Sequence, residues 1–226
     1  MSHGRIDLAR YIEHTLLAPD ATRDAIRKLC REAIEHNFLA VCVNGRYAGL
    51  ANECLLAGAG TRLVVVVGFP LGAGATSAKV QETVEACSQG ADEIDMVIPI
   101  GALIDRDDAS VASDISAVVR AAEGRPVKTI LEVCLLTDEQ ITRACRIATE
   151  SGAAFVKTST GFAKSGATPE AVRLMRASAP ANVGVKAAGG IRDAETADAM
   201  LAAGANRLGV SAGVAIITGS TTRSDY

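Results

Sequence analysis

One device recurs along this chain. A helix-patterned stretch closes on glycine, and an apolar, β-prone run follows at once. "LLAGAGTRLVVVV", "CSQGADEIDMVI", "ESGAAFVKTS" and "LAAGANRLGV" all have this form. Glycine just past a helix end takes the left-handed cap conformation without a steric penalty. The runs that follow are apolar nearly throughout, the pattern of parallel strands covered on both faces. The stretches between them carry helix start signals: Thr137 and Gln140 in capping-box spacing, Thr168 followed by Pro169, and Asp193 at an N-cap.

Strands are expected near 14–17, 39–43, 62–68, 92–98, 127–133, 154–159, 183–188 and 206–210, with helical runs between them. No linker rich in Pro, Gly or Ser divides the 226 residues. This alternation predicts an α/β chain with one domain spanning 1–226, a (β/α)8 TIM barrel. A doubly wound open sheet is the alternative. "RIDLARYIE" reads as an N-terminal helix capping one end of the barrel, and 218–226 as a mobile C-terminal tail. Hydrophobic residues make up 49% and charged residues 22%, which supports a large core and argues against disorder. A net charge of -3 with no basic stripe argues against a nucleic-acid partner. No apolar run is long enough to span a membrane and no signal-peptide pattern is present, so the expectation is a cytoplasmic protein with reduced cysteines and no membrane partner.

Within that scaffold a few charges are out of place. Lys157 interrupts the β-prone "FVKTSTGF", and Lys186 interrupts "VGVKAAGG" on the next strand. In a barrel both faces of a strand are covered, so such lysines belong near the open end, where these folds keep their active sites. Asp95 lies mid-strand in "DEIDMVI", with Asp92 and Glu93 read as the strand's entry. An amine beside a second cation has a lowered pKa and is more often the free base, which is what a Schiff-base lysine needs. The carboxylate would hold the second ammonium and pass protons. Taken singly, a strand lysine is usually exposed or snorkelling. The conjunction of three carries the chemical reading.

Phosphate recognition has separate signals. Thr158 to Gly161 follow Lys157, Gly189 and Gly190 follow Lys186, and "GVSAG", with Ser211 at its centre, follows the eighth strand. Loops after strands seven and eight are the usual phosphate site of such barrels. The bland reading is ordinary strand-to-helix turns. "GFPLGAGATSAK" lacks the Gly-Lys-Ser/Thr ending of a P-loop. "DRDDAS" reads as a helix entry. His3, His14 and His36 lack metal-ligand spacing.

The blocks "EHTLLAPDAT", "VCVN", "VVVVGFPLG", "GADEIDMVI", "FVKTSTGF", "GATPEAVRLM", "VGVKAAGGIR" and "RLGVSAG" occur in the order found in the bacterial deoxyribose-phosphate aldolase family, which the chain resembles from about residue 11 to 217. The resemblance implies a class I aldolase, without metal or cofactor, that interconverts 2-deoxy-D-ribose 5-phosphate with acetaldehyde and D-glyceraldehyde 3-phosphate. It implies Lys157 as the Schiff-base lysine, Lys186 as its perturbing neighbour and Asp95 as the proton-relay carboxylate. It also implies Cys42 in the pocket wall and Thr158, Gly161, Gly189, Gly190 and Ser211 around the substrate. Tyr226 would be a mobile terminal tyrosine that brings a phenol to the enamine, and the assembly a homodimer. The chain departs from the family pattern at Glu13 for a usual Asp, Ala18 for Lys, Gly45 for Pro, Pro99 for Asn and Ala212 for a second Ser. Two alternatives stay open: a related barrel aldolase for another phosphorylated aldehyde or ketone, and a non-catalytic phosphate-binding barrel.

Overall fold

The computed structural model of the protein describes residues 7–56, 58 and 60–219. Eight parallel strands pair in chain order and the eighth returns to the first, closing a barrel. They are β1 (Ile12–Leu16), β2 (Ala40–Asn44), β3 (Arg62–Val67), β4 (Glu93–Val97), β5 (Val127–Ile130), β6 (Phe155–Lys157), β7 (Gly184–Ala188) and β8 (Arg207–Val210). Among the described residues the helices are α1 (Arg23–Glu35), α2 (Ala48–Leu55), α3 (Thr76–Ser88), α4 (Ile100–Ile104), α5 (Asp108–Ala121), α6 (Asp138–Glu150), α7 (Pro169–Ser178), α8 (Ala194–Ala202) and α9 (Gly213–Thr218). Closure decides between the two sheet topologies in favour of the (β/α)8 barrel.

The caps follow the sequence signals. Thr137 and Gln140 form a complete capping box on α6, while Thr168 and Asp193 accept from the backbone amides of Ala171 and Thr196. Asp107, within the acidic stretch, caps α5. Gly90, Gly152 and Gly204 take φ of 95°, 90° and 109° just ahead of β4, β6 and β8, the left-handed turn that returns each helix to the sheet.

Strand alternation splits the core into two compartments. Outward residues such as Ile12, Val41, Val65, Ile94, Val156, Val185 and Leu208 join the helices in one large apolar layer. The inward residues of β2 and β3, namely Ala40, Cys42, Val64 and Val66, form a small apolar cluster with Leu17. Beside it the interior holds a charged stack, with Glu13, Asp95, Lys128 and Lys186 at zero exposure, below the apolar Val97, Ile130 and Ala188.

Two expectations need correction. The helix expected over 5–13 is, in its described part, one 3-10 turn, Leu8–Tyr11, because Ile12 and Glu13 already pair with β8. β5 stops at Ile130 rather than 133: Glu132 takes φ 57° and turns the chain into a 3-10 turn over Val133–Leu135. Of the expected tail, 218–226, the first two residues, Thr218 and Gly219, are the end of α9 and its left-handed cap; 220–226 lie outside the described residues.

Candidate active site

The register places the charged side chains in one interior stack. Lys157 pairs directly with Lys186, Asp95 with Lys128, and Lys186 with Arg207. All of these point inward, because each strand presents alternate residues to the same face. Asp95 is the hub. Its Oδ2 accepts from Lys157 Nζ at 2.8 Å and from Lys186 Nζ at 2.7 Å, and its Oδ1 accepts from Lys128 Nζ at 2.8 Å. Lys186 also donates to Glu13. Lys128 reaches Glu93 at 2.6 Å, and Glu93 is held in turn by the half-exposed Arg62 at 2.8 Å and by Arg207 at 3.6 Å. Gly209 on β8 is glycine for a steric reason: a Cβ there would meet Lys186 Cε at 2.9 Å.

Charge balance assigns the protons. The buried carboxylates of the stack are Glu13, Glu93 and Asp95; Lys128, Lys186 and Arg207 already match them one for one, and the half-exposed Arg62 adds a further cation at Glu93. A charged Lys157 would leave an unmatched cation in the interior, where an unpaired charge is costly. Burial is the main force lowering the pKa of Lys157, with the charge of Lys186 adding to it, against the opposing pull of Asp95. The sequence reading had named the neighbouring cation as the cause; desolvation outranks it. Burial also works to lower Lys186 and Lys128, but there the attraction of Asp95 and Glu13 outweighs it and both are raised. Burial would push the Asp95 carboxyl up, yet Lys128, Lys157 and Lys186 together hold it well below the usual carboxylate range. One amine is therefore poised as a free base among groups that stay ionised.

Above this stack a cavity opens at the C-terminal ends of the strands, with Lys157 in its lining. Gly189, Gly190, Gly161 and Ser211 line it too, as do Thr160 and the exposed Arg192. The first three glycines take φ of 85°, 80° and 88°. The loops after β6 and β7 interlock closely: a Cβ on Gly166 would meet the Gly189 carbonyl at 2.1 Å. Glu132, buried in its left-handed conformation, accepts from the Thr160 amide and hydroxyl and so pins the loop that carries Gly161. Leu17 and Phe162 also line it, the latter edge-on to Phe69 with ring centroids 5.2 Å apart. The mouth thus combines glycine backbone with apolar side chains.

The match to known proteins follows the same residues. The family model for DeoC/LacD aldolases matches residues 8–219. The chain belongs to this aldolase family. A deoxyribose-phosphate aldolase from Brevibacillus brevis is 51% identical over 222 residues, covering 98% of this chain and all of that protein. Among solved structures, the aldolase QR15 has a TM-score of 0.91 at 39% identity, covering 95% of this chain and 96% of that one. The tetrameric deoxyribose phosphate aldolase from Aeropyrum pernix has a TM-score of 0.85 at 33% identity, covering 94% of this chain and 90% of that one.

Within this family member the structure brings Lys157, Lys186 and Asp95 into direct contact and puts Gly161, Gly189, Gly190 and Ser211 in the cavity wall. It places two other candidates elsewhere. Thr158 is fully buried, and its hydroxyl exchanges hydrogen bonds with the Ala188 carbonyl and amide, stitching β6 to β7. Cys42 faces the interior beside the charged stack, fully buried, and burial raises its thiol pKa. Tyr226 lies outside the described residues. Pro99 opens α4 and stands clear of the cavity lining. The sequence reading missed Lys128 and Glu132; Glu93 opens β4 as expected, and what was missed is that it is buried in the stack. Lys128 had a signal that could have found it: in "VKTI" a lysine again interrupts a β-branched strand, as at Lys157. Among the described residues no helix is long and apolar enough to cross a membrane.

Proposed function

We propose that this chain is a deoxyribose-phosphate aldolase in which Lys157 forms the Schiff base. The observation that carries the assignment is the shared Asp95 oxygen, which gathers at the floor of the cavity two lysines whose pKa values are driven in opposite directions. The neutral Lys157 amine adds to the C1 carbonyl of open-chain 2-deoxyribose 5-phosphate. Lys186, held as an ammonium, donates the proton with which the carbinolamine loses water. The resulting iminium is the electron sink. The two-carbon product fixes the broken bond as C2–C3: the C3 hydroxyl gives its proton to Lys186, left neutral by the dehydration, glyceraldehyde 3-phosphate leaves as the aldehyde, and the electrons of the C2–C3 bond move into an enamine. Protonation at C2 and addition of water release acetaldehyde and restore the free amine. Asp95 stays ionised throughout and balances the charge gained at Lys157. The amides around Gly189, Gly190 and Ser211 bind the phosphate, so a remote group sets the reacting carbon over the amine.

Borohydride reduction with acetaldehyde, followed by peptide mapping, should label Lys157 alone, alongside retro-aldol turnover of deoxyribose 5-phosphate. Label on another lysine, or turnover without label, refutes the assignment. We assign Tyr226 the proton transfer at C2, as a general acid–base group. Its deletion should slow turnover by ~10²-fold and leave trapping intact; unchanged deuterium exchange into acetaldehyde would refute that role. A homodimer and a cytoplasmic location remain part of this reading. Light scattering of the purified protein tests the first and fractionation of the source cells the second.

A further inference from the structure

We propose that Lys128 is a positioning residue for the aldol chemistry: it clamps one oxygen of Asp95, leaving the other as the single acceptor that Lys157 and Lys186 must share. The inference rests on the Schiff-base reading above. Lys128 is fully buried on β5, one layer below Lys157, and it is not among the side chains lining the cavity. Its ammonium faces only carboxylates: Asp95 Oδ1 at 2.8 Å, Glu93 Oε2 at 2.6 Å and Glu13 Oε1 at 3.6 Å. Glu93 is anchored from the far end of the barrel by Arg62 and Arg207. The result is a chain of ion pairs that runs from the lower rim to the hub and fixes the plane of the Asp95 carboxylate.

The consequence lies at Lys157. With Oδ1 occupied, Asp95 cannot turn both oxygens toward the Lys157 amine. Such a private pair would stabilise the ammonium and withdraw the nucleophile. Oδ2 remains, and it is divided with Lys186. Lys128 also supplies the third cation that matches the three carboxylates without help from Lys157. Removing it would make protonated Lys157 the natural replacement. An ion pair that only filled space would carry neither consequence.

The test reads the pH dependence of borohydride trapping by acetaldehyde in three proteins: wild type, Lys128→Met, and Lys128→Met with Glu93→Gln. The double variant removes one carboxylate with the cation, which restores the balance and protects folding, yet it still lacks the clamp. In both variants the trapping midpoint should move up by about one pH unit. Turnover at neutral pH should fall by about tenfold with little change in KM, and trapping on Lys157 should recover to the wild-type rate above the new midpoint. That recovery separates mispositioning from general damage. A wild-type midpoint in the double variant would overturn the proposal, because Lys128 would then act through net charge alone. A wild-type midpoint in the single variant would overturn it as well. Should the single variant fail to fold, the double variant decides. Absence of Lys157 labelling in the wild type would instead refute the Schiff-base reading, and this inference with it.

Discussion

Lys157 Nζ and Lys186 Nζ stand 2.8 and 2.7 Å from one oxygen of Asp95, yet the two amines are driven in opposite directions. Lys186 has Glu13 as a second partner, and among the described residues Lys157 has no second carboxylate. The first is therefore held as the ammonium and the second is pushed toward the free base. Lys186→Leu removes a charge that lowers Lys157 and frees the shared oxygen, so both effects raise the pKa of Lys157. The active, neutral fraction then appears only at higher pH. The acid limb of the kcat/KM profile should shift upward, and an unmoved limb would contradict the shared-oxygen account. Lys157→Met should abolish turnover while leaving Tm equal or higher. The sign follows from linkage: a lysine with a folded pKa below its unfolded one lowers stability as pH falls from the unfolded value. The gain in Tm should vanish toward pH ~10.5, the unfolded lysine value, grow as pH falls from there and level off below the folded pKa. A lower Tm at pH 7 would mean that Lys157 is charged in the free enzyme.

The elements matter here for the ends they present. β6, β7 and β8 each finish in a loop that adds glycine or hydroxyl groups to the cavity wall, and the β6 and β7 loops pack backbone to backbone at Gly166 and Gly189. Gly189→Ala introduces a Cβ at φ 85° that meets Gly166 Cα at 3.0 Å. Left-handed backbone costs a non-glycine residue roughly 1–2 kcal/mol. The expected result is a modest loss of stability and a marked rise in KM for phosphorylated substrate. The KM for the unphosphorylated sugar should change much less; an equal rise for both sugars would separate this loop from phosphate binding. A second buried pair supports the end of β4 from outside the barrel. Lys79 on α3 donates to Asp114 on α5 at 2.7 Å and to the Val97 carbonyl at 3.0 Å. Its methylenes fill the space a Cβ on Gly68 would need, which ties α3 to the loop that carries Phe69.

For the whole molecule, the barrel interior is an ionic structure wrapped in an apolar one, and its stability depends on pH accordingly. Glu93 and Asp95 have folded pKa values below their unfolded ones. Their contribution is fully present above the unfolded carboxylate values near pH ~4 and is lost as pH falls through the folded values. Burial also lowers the pKa of His14, so Tm should begin to slip below pH ~6.5 and then drop steeply below about 5 as the carboxylates protonate; Glu93→Gln should flatten the steep part. A single gradual slope with no break near pH ~5 would contradict the carboxylate account. Local chemistry in the chain was enough to specify the repeat of strand and helix, the caps at Thr137, Thr168 and Asp193, and the glycine turns, because each depends on residues within one turn of one another. The run "FVKTSTGF" marked Lys157 for the same reason: a charge inside a β-branched strand is a local contradiction. Which cations meet which carboxylates is not local. Lys157 and Asp95 are 62 residues apart, and Lys186 and Glu13 are 173 apart. Only closure of the barrel and its register turn Lys128, Glu93 and Glu13 inward together and leave Lys157 as the amine without a partner of its own.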